Sequence, residues 1–145
     1  MKLFLAAASL AVFPIAVLAE VVVTDPWARA SILASRPGAA YLTLVSDMDD
    51  RLLSATTPAA GQVMMHASET DTNAITRMIH LCALDLRAGQ TVRFAPGGMH
   101  LMLMGLTAKL EEGGQFPLTL SFEHAGDITV EVPILGVAFT APEAN

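Results

Sequence analysis

The chain has 145 residues and a formal charge of −6 at pH 7, with 14 acidic side chains against 8 basic ones. That length fits one domain with a core of its own, and the acidic balance argues against nucleic acid or anionic lipid as a partner. Cys82 is the only cysteine, which excludes an intramolecular disulfide.

Residues 1–19 read as a secretory leader. Met1-Lys2 gives a short positive start, Leu3 to Leu18 an apolar run interrupted by Pro14, and Val17-Leu18-Ala19 a small-residue cleavage site before Glu20. An uncleaved anchor is the alternative, which the shortness of the run and Pro14 disfavour. Cleavage removes Lys2 and no acid, so residues 20–145 carry −7. Nothing later is apolar for long enough to span a bilayer. The mature domain, 20–145, is therefore expected to be soluble outside the cytoplasm, and the short lysine-poor leader looks bacterial, which implies the periplasm.

Val21-Val22-Val23-Thr24 predicts a first strand that stops at Asp25-Pro26. Trp27 follows and is expected to plug the core or a sheet edge. Ser31 to Gly38 is a loop by its Pro-Gly punctuation. Ala39 to Ser46 alternates, with Ala40, Leu42 and Leu44 on one face and Tyr41, Thr43 and Val45 on the other, as a half-buried strand does. Asp47 to Asp50 reads as a polar turn and Arg51 to Thr56 as a strand, broken by Pro58-Ala59-Ala60-Gly61. Gln62 to His66 is extended, Ala67 to Asn73 polar and hairpin-like, and Ala74 to Ala83 a strand. In that last run Cys82 is expected to be buried and inert, because an exposed thiol is a liability in an oxidising compartment.

Leu84 to Gln90 reads as a connection with a possible helical turn. Thr91 to Phe94 and Met99 to Met104 are strands on either side of Pro96-Gly97-Gly98. After a loop to Gln115, Phe116 to Glu123 and Ile128 to Ile134 form a hairpin around His124-Ala125-Gly126-Asp127, and Ala141 to Asn145 is a tail. Strands recur every eight to twelve residues and no long amphipathic helix interrupts them. That pattern predicts an all-β chain, an antiparallel sandwich or barrel.

The chemistry concentrates between Met64 and Met104. His66, Met78, His80, His100, Met102 and Met104 fall in segments with few acids. Imidazole nitrogen and thioether sulfur, without carboxylates, suit Cu(I) better than Zn(II), Ca(II) or Mg(II). His100 and Met102 are two apart, so on a strand they leave the same face. Eleven residues separate His66 from Met78 and twenty-one separate Met78 from His100. Taken singly each residue has a plainer reading. Met102 and Met104 are apt core fillers, His80 stands close to Met78 without belonging to the pattern, His124 lies in a solvated turn, and Met64, Met65 and Met99 are weaker candidates still.

These intervals resemble the periplasmic copper chaperone family PCu(A)C, whose signature is His, an optional Met, ten residues, Met, twenty-one residues, His-x-Met. Ala67 stands in the optional Met position. Asp25-Pro26-Trp27-Ala28-Arg29-Ala30, Gly38-Ala39-Ala40-Tyr41-Leu42, Pro96 to Leu106 and Val130-Glu131-Val132-Pro133 resemble it as well. The resemblance implies a cupredoxin-like antiparallel β-sandwich of Greek-key type, binding one Cu(I) through His66, Met78, His100 and Met102. It also implies delivery to the CuA-bearing subunit of cytochrome c oxidase, often alongside a Sco-type thiol protein. No second copper is expected, because the chain lacks a His- and Met-rich tail.

Rival functions are a general periplasmic copper buffer or resistance protein and a cupredoxin-type electron carrier. The carrier needs a Cys thiolate with two His and an axial Met, and no histidine follows Cys82 closely. No nucleophile–base pair, phosphate loop or acid–base carboxylate pair suggests an enzyme. The chain is expected to act as a monomer.

Overall fold

A computed structural model describes residues 19–140. The expected leader, apart from Ala19, and the expected tail lie outside the described residues. Ten strands and no helix make up those residues: β1 (Val21–Arg29), β2 (Gly38–Ser46), β3 (Asp50–Thr56), β4 (Ala60–Thr70), β5 (Thr76–Leu81), β6 (Leu84–Leu86), β7 (Thr91–Arg93), β8 (His100–Leu106), β9 (Gln115–Phe122) and β10 (Gly126–Leu135).

One layer runs β5-β4-β8-β2-β1 and the other β10-β9-β3-β6. β7 and β8 share one edge of β2: β8 pairs with Gly38 to Ala40, and β7 with Thr43 to Val45. The strand pairs are antiparallel except β1 with β10, where Ala28 pairs with Ile134 and Arg29 with Leu135, joining the layers at one side.

Period-2 alternation decides which face is core. Ala40, Leu42 and Leu44 of β2, Leu101 and Leu103 of β8, and Leu118 and Leu120 of β9 are almost fully buried in one cluster, each leucine contributing about 1.5–3 kcal/mol by its burial. Their sequence neighbours on β8, His100, Met102 and Met104, are half-buried on the opposite face. The core thus determines which way the polar and thioether groups look.

Three local expectations are corrected. β1 does not stop at Asp25-Pro26: its pairing to β2 shifts register between Thr24 and Trp27, with Asp25 at φ 50°. A bulge of this kind absorbs a proline that cannot donate to the ladder, and Trp27 resumes the strand against Tyr41, ring centroids 4.4 Å apart. β4 continues through Ala67 to Thr70 rather than turning there, because β5 pairs with it as far as Thr70–Thr76. The turn falls later, where the Asp71 carboxylate accepts from the amides of Asn73 and Ile75. Leu84 to Leu86 forms a short strand on β3 and not a helical turn.

Asp50, expected in a polar turn, opens β3 and is only 6% exposed. Its carboxylate accepts hydrogen bonds from the amides of Arg51, His124 and Ala125 at 2.7, 2.9 and 3.0 Å, tying the β9–β10 turn to β3. Burial raises its pKa, but these three donors outweigh burial and hold it below the usual carboxylate value. Asp50→Ala should therefore cost about 1–3 kcal/mol in urea unfolding of the metal-free protein. Because the folded pKa is depressed, the carboxylate's contribution is complete above the unfolded value of about 3.9 and fades as pH falls through the folded one. The gap between wild type and variant should narrow in acid; a gap that stays constant would contradict this role.

Candidate metal centre

β4 lies between β8 and β5, and its pairing to each is free of bulges. His66 is directly opposite His100 on one side and His80 on the other. The three imidazoles therefore form a row across three strands. Ring centroids are 5.6 Å apart for His66–His100 and 5.5 Å for His66–His80, both edge to face. Period 2 adds the thioethers to the same face: Met64 beside His66, Met102 and Met104 beyond His100, and Met78 two residues before His80. Met102 is paired with Met64, and Met78 with Ser68. Each of the two is thus a diagonal neighbour of His66, at about 7–8 Å between backbones and within reach of a long side chain.

Of the four residues singled out by the sequence spacing, the fold sets His66 against His100 and places Met102 beside both. Met78 is farther out, 57% exposed on the edge strand β5. His80 takes the place directly opposite His66. The spacing pattern passes over His80, but alternation already carried the signal, since a strand that turns Met78 to this face turns His80 there too. Met64 reaches the face by the same rule.

Cys82 is exposed, just beyond the end of β5, and not buried as expected. The apolar letters around it suggest a core strand, yet β5 is an edge strand whose residues are exposed up to Ile79 and His80. Among the described residues no second layer covers it.

Polar chemistry within the row is uneven. His66 is 9% exposed, and its Nδ1 is buried with no hydrogen-bond partner. Burial first, then the neighbouring His100 and His80, push its pKa below the ordinary imidazole value. His100 is anchored by a contact of 3.2 Å between Nδ1 and the Gly98 carbonyl. The tautomer that donates Nδ1–H there leaves Nε2 with a free lone pair. The loop holding Gly98 is a tight turn: Gly97 takes φ 82°, the Gly98 amide donates to the Ala95 carbonyl and the Ala95 amide to Met99.

A buried, unpartnered imidazole nitrogen is costly, and a metal ion would satisfy it. Among the described residues no three of His, Cys, Asp and Glu are arranged as placed to hold a metal ion, and the sulfur donors on the face of the His66–His100 pair are thioethers. The strand segments forming the face from Gln62 to Ser68, Met78 to Leu81 and His100 to Leu106 contain no carboxylate. Such a neutral, soft donor set fits a soft monovalent cation.

All of these residues fall within positions 21–134, which match a family described as "Putative lipoprotein LpqE-like". The chain belongs to the LpqE-like family. A protein of Leifsonia xyli subsp. xyli described as "Putative lipoprotein Lxx21020" is 37% identical over 83 residues, which are 57% of this chain and 50% of that protein. The chain thus spans about half the length of that family relative. Among solved structures, the apo PCuAC domain of PmoF2 superposes with a TM-score of 0.70 at 23% identity, covering 86% of this chain and 97% of that one. Its copper-bound form gives 0.68 at 24%, over 83% and 96%. The solution structure of CuI-DR1885 from Deinococcus radiodurans gives 0.57 at 26%, over 76% and 74%. The fold is the cupredoxin-like β fold of PCuAC domains.

The depressed pKa of His66 gives a signed prediction. In metal-free protein its ring should titrate below about 6.5, the ordinary imidazole value. As pH falls past that value the unfolded chain takes up a proton that folded His66 resists, so folding stability declines with acid. NMR titration of the ring protons checks this. A His66 midpoint at or above the ordinary value would contradict it.

Proposed function

We propose that this protein is an exported copper-binding metallochaperone that acts by binding rather than turnover. It carries one Cu(I) on His66, Met78, His100 and Met102 and releases it to the CuA-bearing subunit of cytochrome c oxidase, directly or through a Sco-type thiol protein. The observation that carries the reading is the cross-strand His66–His100 pair, with its buried unpartnered Nδ1, beside Met102 on a face without carboxylates. Two solved neighbours, titled as copper-bound and CuI forms, support copper as the cargo.

Neutral donors leave the ion's single positive charge as the only charge to desolvate. The half-buried side of the site, His66, His100 and Met102, positions the ion, while Met78 on the exposed edge can leave first. An incoming acceptor thiolate or imidazole then takes the vacated position, and copper passes by ligand exchange without a free aqueous ion. Export rests on the leader read in residues 1–19, and the lipoprotein description of the relatives agrees with an exported protein. The mature chain is taken to work as a monomer in the periplasm.

Competition with a chromogenic Cu(I) chelator tests the ligand set. His100→Ala and Met102→Ala should each weaken Cu(I) binding more than Met104→Ala, whose position lies one pair farther from His66; equal losses at all three positions would mean a different site. A deletion strain grown at limiting copper tests the acceptor. Loss of oxidase activity with unchanged copper tolerance supports delivery, and the reverse pattern supports a copper buffer. Mild peroxide should convert exposed Met78 to the sulfoxide before half-buried Met102, lowering Cu(I) affinity until methionine sulfoxide reductase restores it. Mass spectrometry of the peptides orders the two events, and oxidation of Met102 first would reverse the assignment of the outer ligand.

A further inference from the structure

His80 faces His66 as closely as His100 does, yet the spacing that selects His66, Met78, His100 and Met102 leaves it out. His80 and His66 are direct cross-strand partners, with ring centroids 5.5 Å apart against 5.6 Å on the His100 side. We propose that His80 is a third imidazole ligand of this site, used for Cu(II) and not for Cu(I). The proposal rests on the copper reading of this face and adds a second oxidation state to it.

Ligand preference supplies the reason. Thioethers satisfy the soft Cu(I) ion, whereas Cu(II) favours nitrogen donors in a tetragonal arrangement. A Cu(II) ion on His66 and His100 gains little from Met78 or Met102 and binds well only if another nitrogen is close. His80 is the imidazole on the same face that meets this need. His124, the remaining histidine, lies in the β9–β10 turn at the far side of the strand order, in β9–β10 rather than β5–β4–β8.

Mobility allows it. The three rings as placed do not converge on one point, and adjacent strands are about 4.8 Å apart, so His80 must turn toward His66 to share an ion. Its ring is exposed on an edge strand and stands edge to face with the His66 ring, so its rotation is not blocked by burial. His66 is held by burial and His100 by the Gly98 carbonyl. Two fixed imidazoles and one free one are what a site needs to change its donor set without moving the backbone. The bland alternative is that the His80 ring merely packs edge-on against His66.

His80→Phe separates the two, because it keeps an aromatic ring at this position and removes the nitrogens. The purified mature chain would be titrated with Cu(II) and, separately, with Cu(I) against a chelator, and the Cu(II) form examined by pulsed EPR for coordinated imidazoles. The expected result is Cu(II) affinity lowered by about tenfold or more with Cu(I) affinity unchanged within about threefold. The imidazole count should fall from three in wild type to two in the variant, with His124→Ala indistinguishable from wild type. Two imidazoles in wild type, or unchanged Cu(II) affinity in His80→Phe, overturns the proposal and leaves the Cu(I) reading standing. Equal losses for both ions overturn the selectivity by placing His80 in the Cu(I) set. Wild type that binds neither ion removes the copper reading and this proposal together.

Discussion

The pairing of β4 with β8 and β5 governs everything on the outer face of the larger layer. A slip of one residue on either side would turn the whole set of side chains over, sending His66 into the core and Met65 to solvent. The inward residues guard against it. Met65 and Leu101 are direct partners on the core side, and Val63 is opposite Leu103; exposing that set would cost several buried side chains at about 1.5–3 kcal/mol each. The Asp71 turn fixes the far end, so β5 has one register available. Bulges do occur in this fold, at Asp25 in β1 and near Leu52 in β3. Neither lies on the strands that carry the imidazole row.

That register produces a gradient across the row. His66 is buried, His100 and Met102 are half-covered, and His80 and Met78 stand in solvent on the edge strand. The covered end is rigid for reasons independent of any metal, namely core packing beneath β4 and β8 and the Gly98 carbonyl at His100. The edge end is free for an equally simple reason: among the described residues β5 has a neighbour on one side only. For the proposed copper site, a preorganised half lowers the entropy cost of capturing an ion, and a loose half lowers the barrier to giving it up.

Much of this could be read from the sequence, because it rests on local alternation. The faces of Ala39 to Ser46 and of His100 to Met104 follow from period 2, and both strands sit as that pattern requires except at Tyr41, which is buried against Trp27. What could not be read is which strand lies beside which. The opposition of His80 to His66 depends on the β4–β5 turn falling at Asp71 to Ile75, a few residues later than the polar letters from Ala67 suggest. The burial expected for Cys82 failed for the same reason, since an apolar run looks alike on an edge strand and a central one. Pro26 read as a stop because proline removes a donor, but a bulge made that donor unnecessary.

An exposed apolar edge strand is normally a liability, since its free backbone groups invite pairing with another chain. β5 carries Met78 and Ile79 in the open, with Ile75 exposed just before it and Arg77 as its one charge. Covering this edge with a helix or another strand would remove the hazard. It would also seal the imidazole row on the side where its thioether is exposed and its third imidazole can turn. On the proposed ligand set, a covered Met78 would hold an ion more firmly and release it more slowly, because every exchange would first require the covering element to move. Under the proposed function, leaving β5 bare accepts some risk of association in return for a site that an incoming ligand can reach directly. The short strand and the arginine near its start are the features that limit that risk.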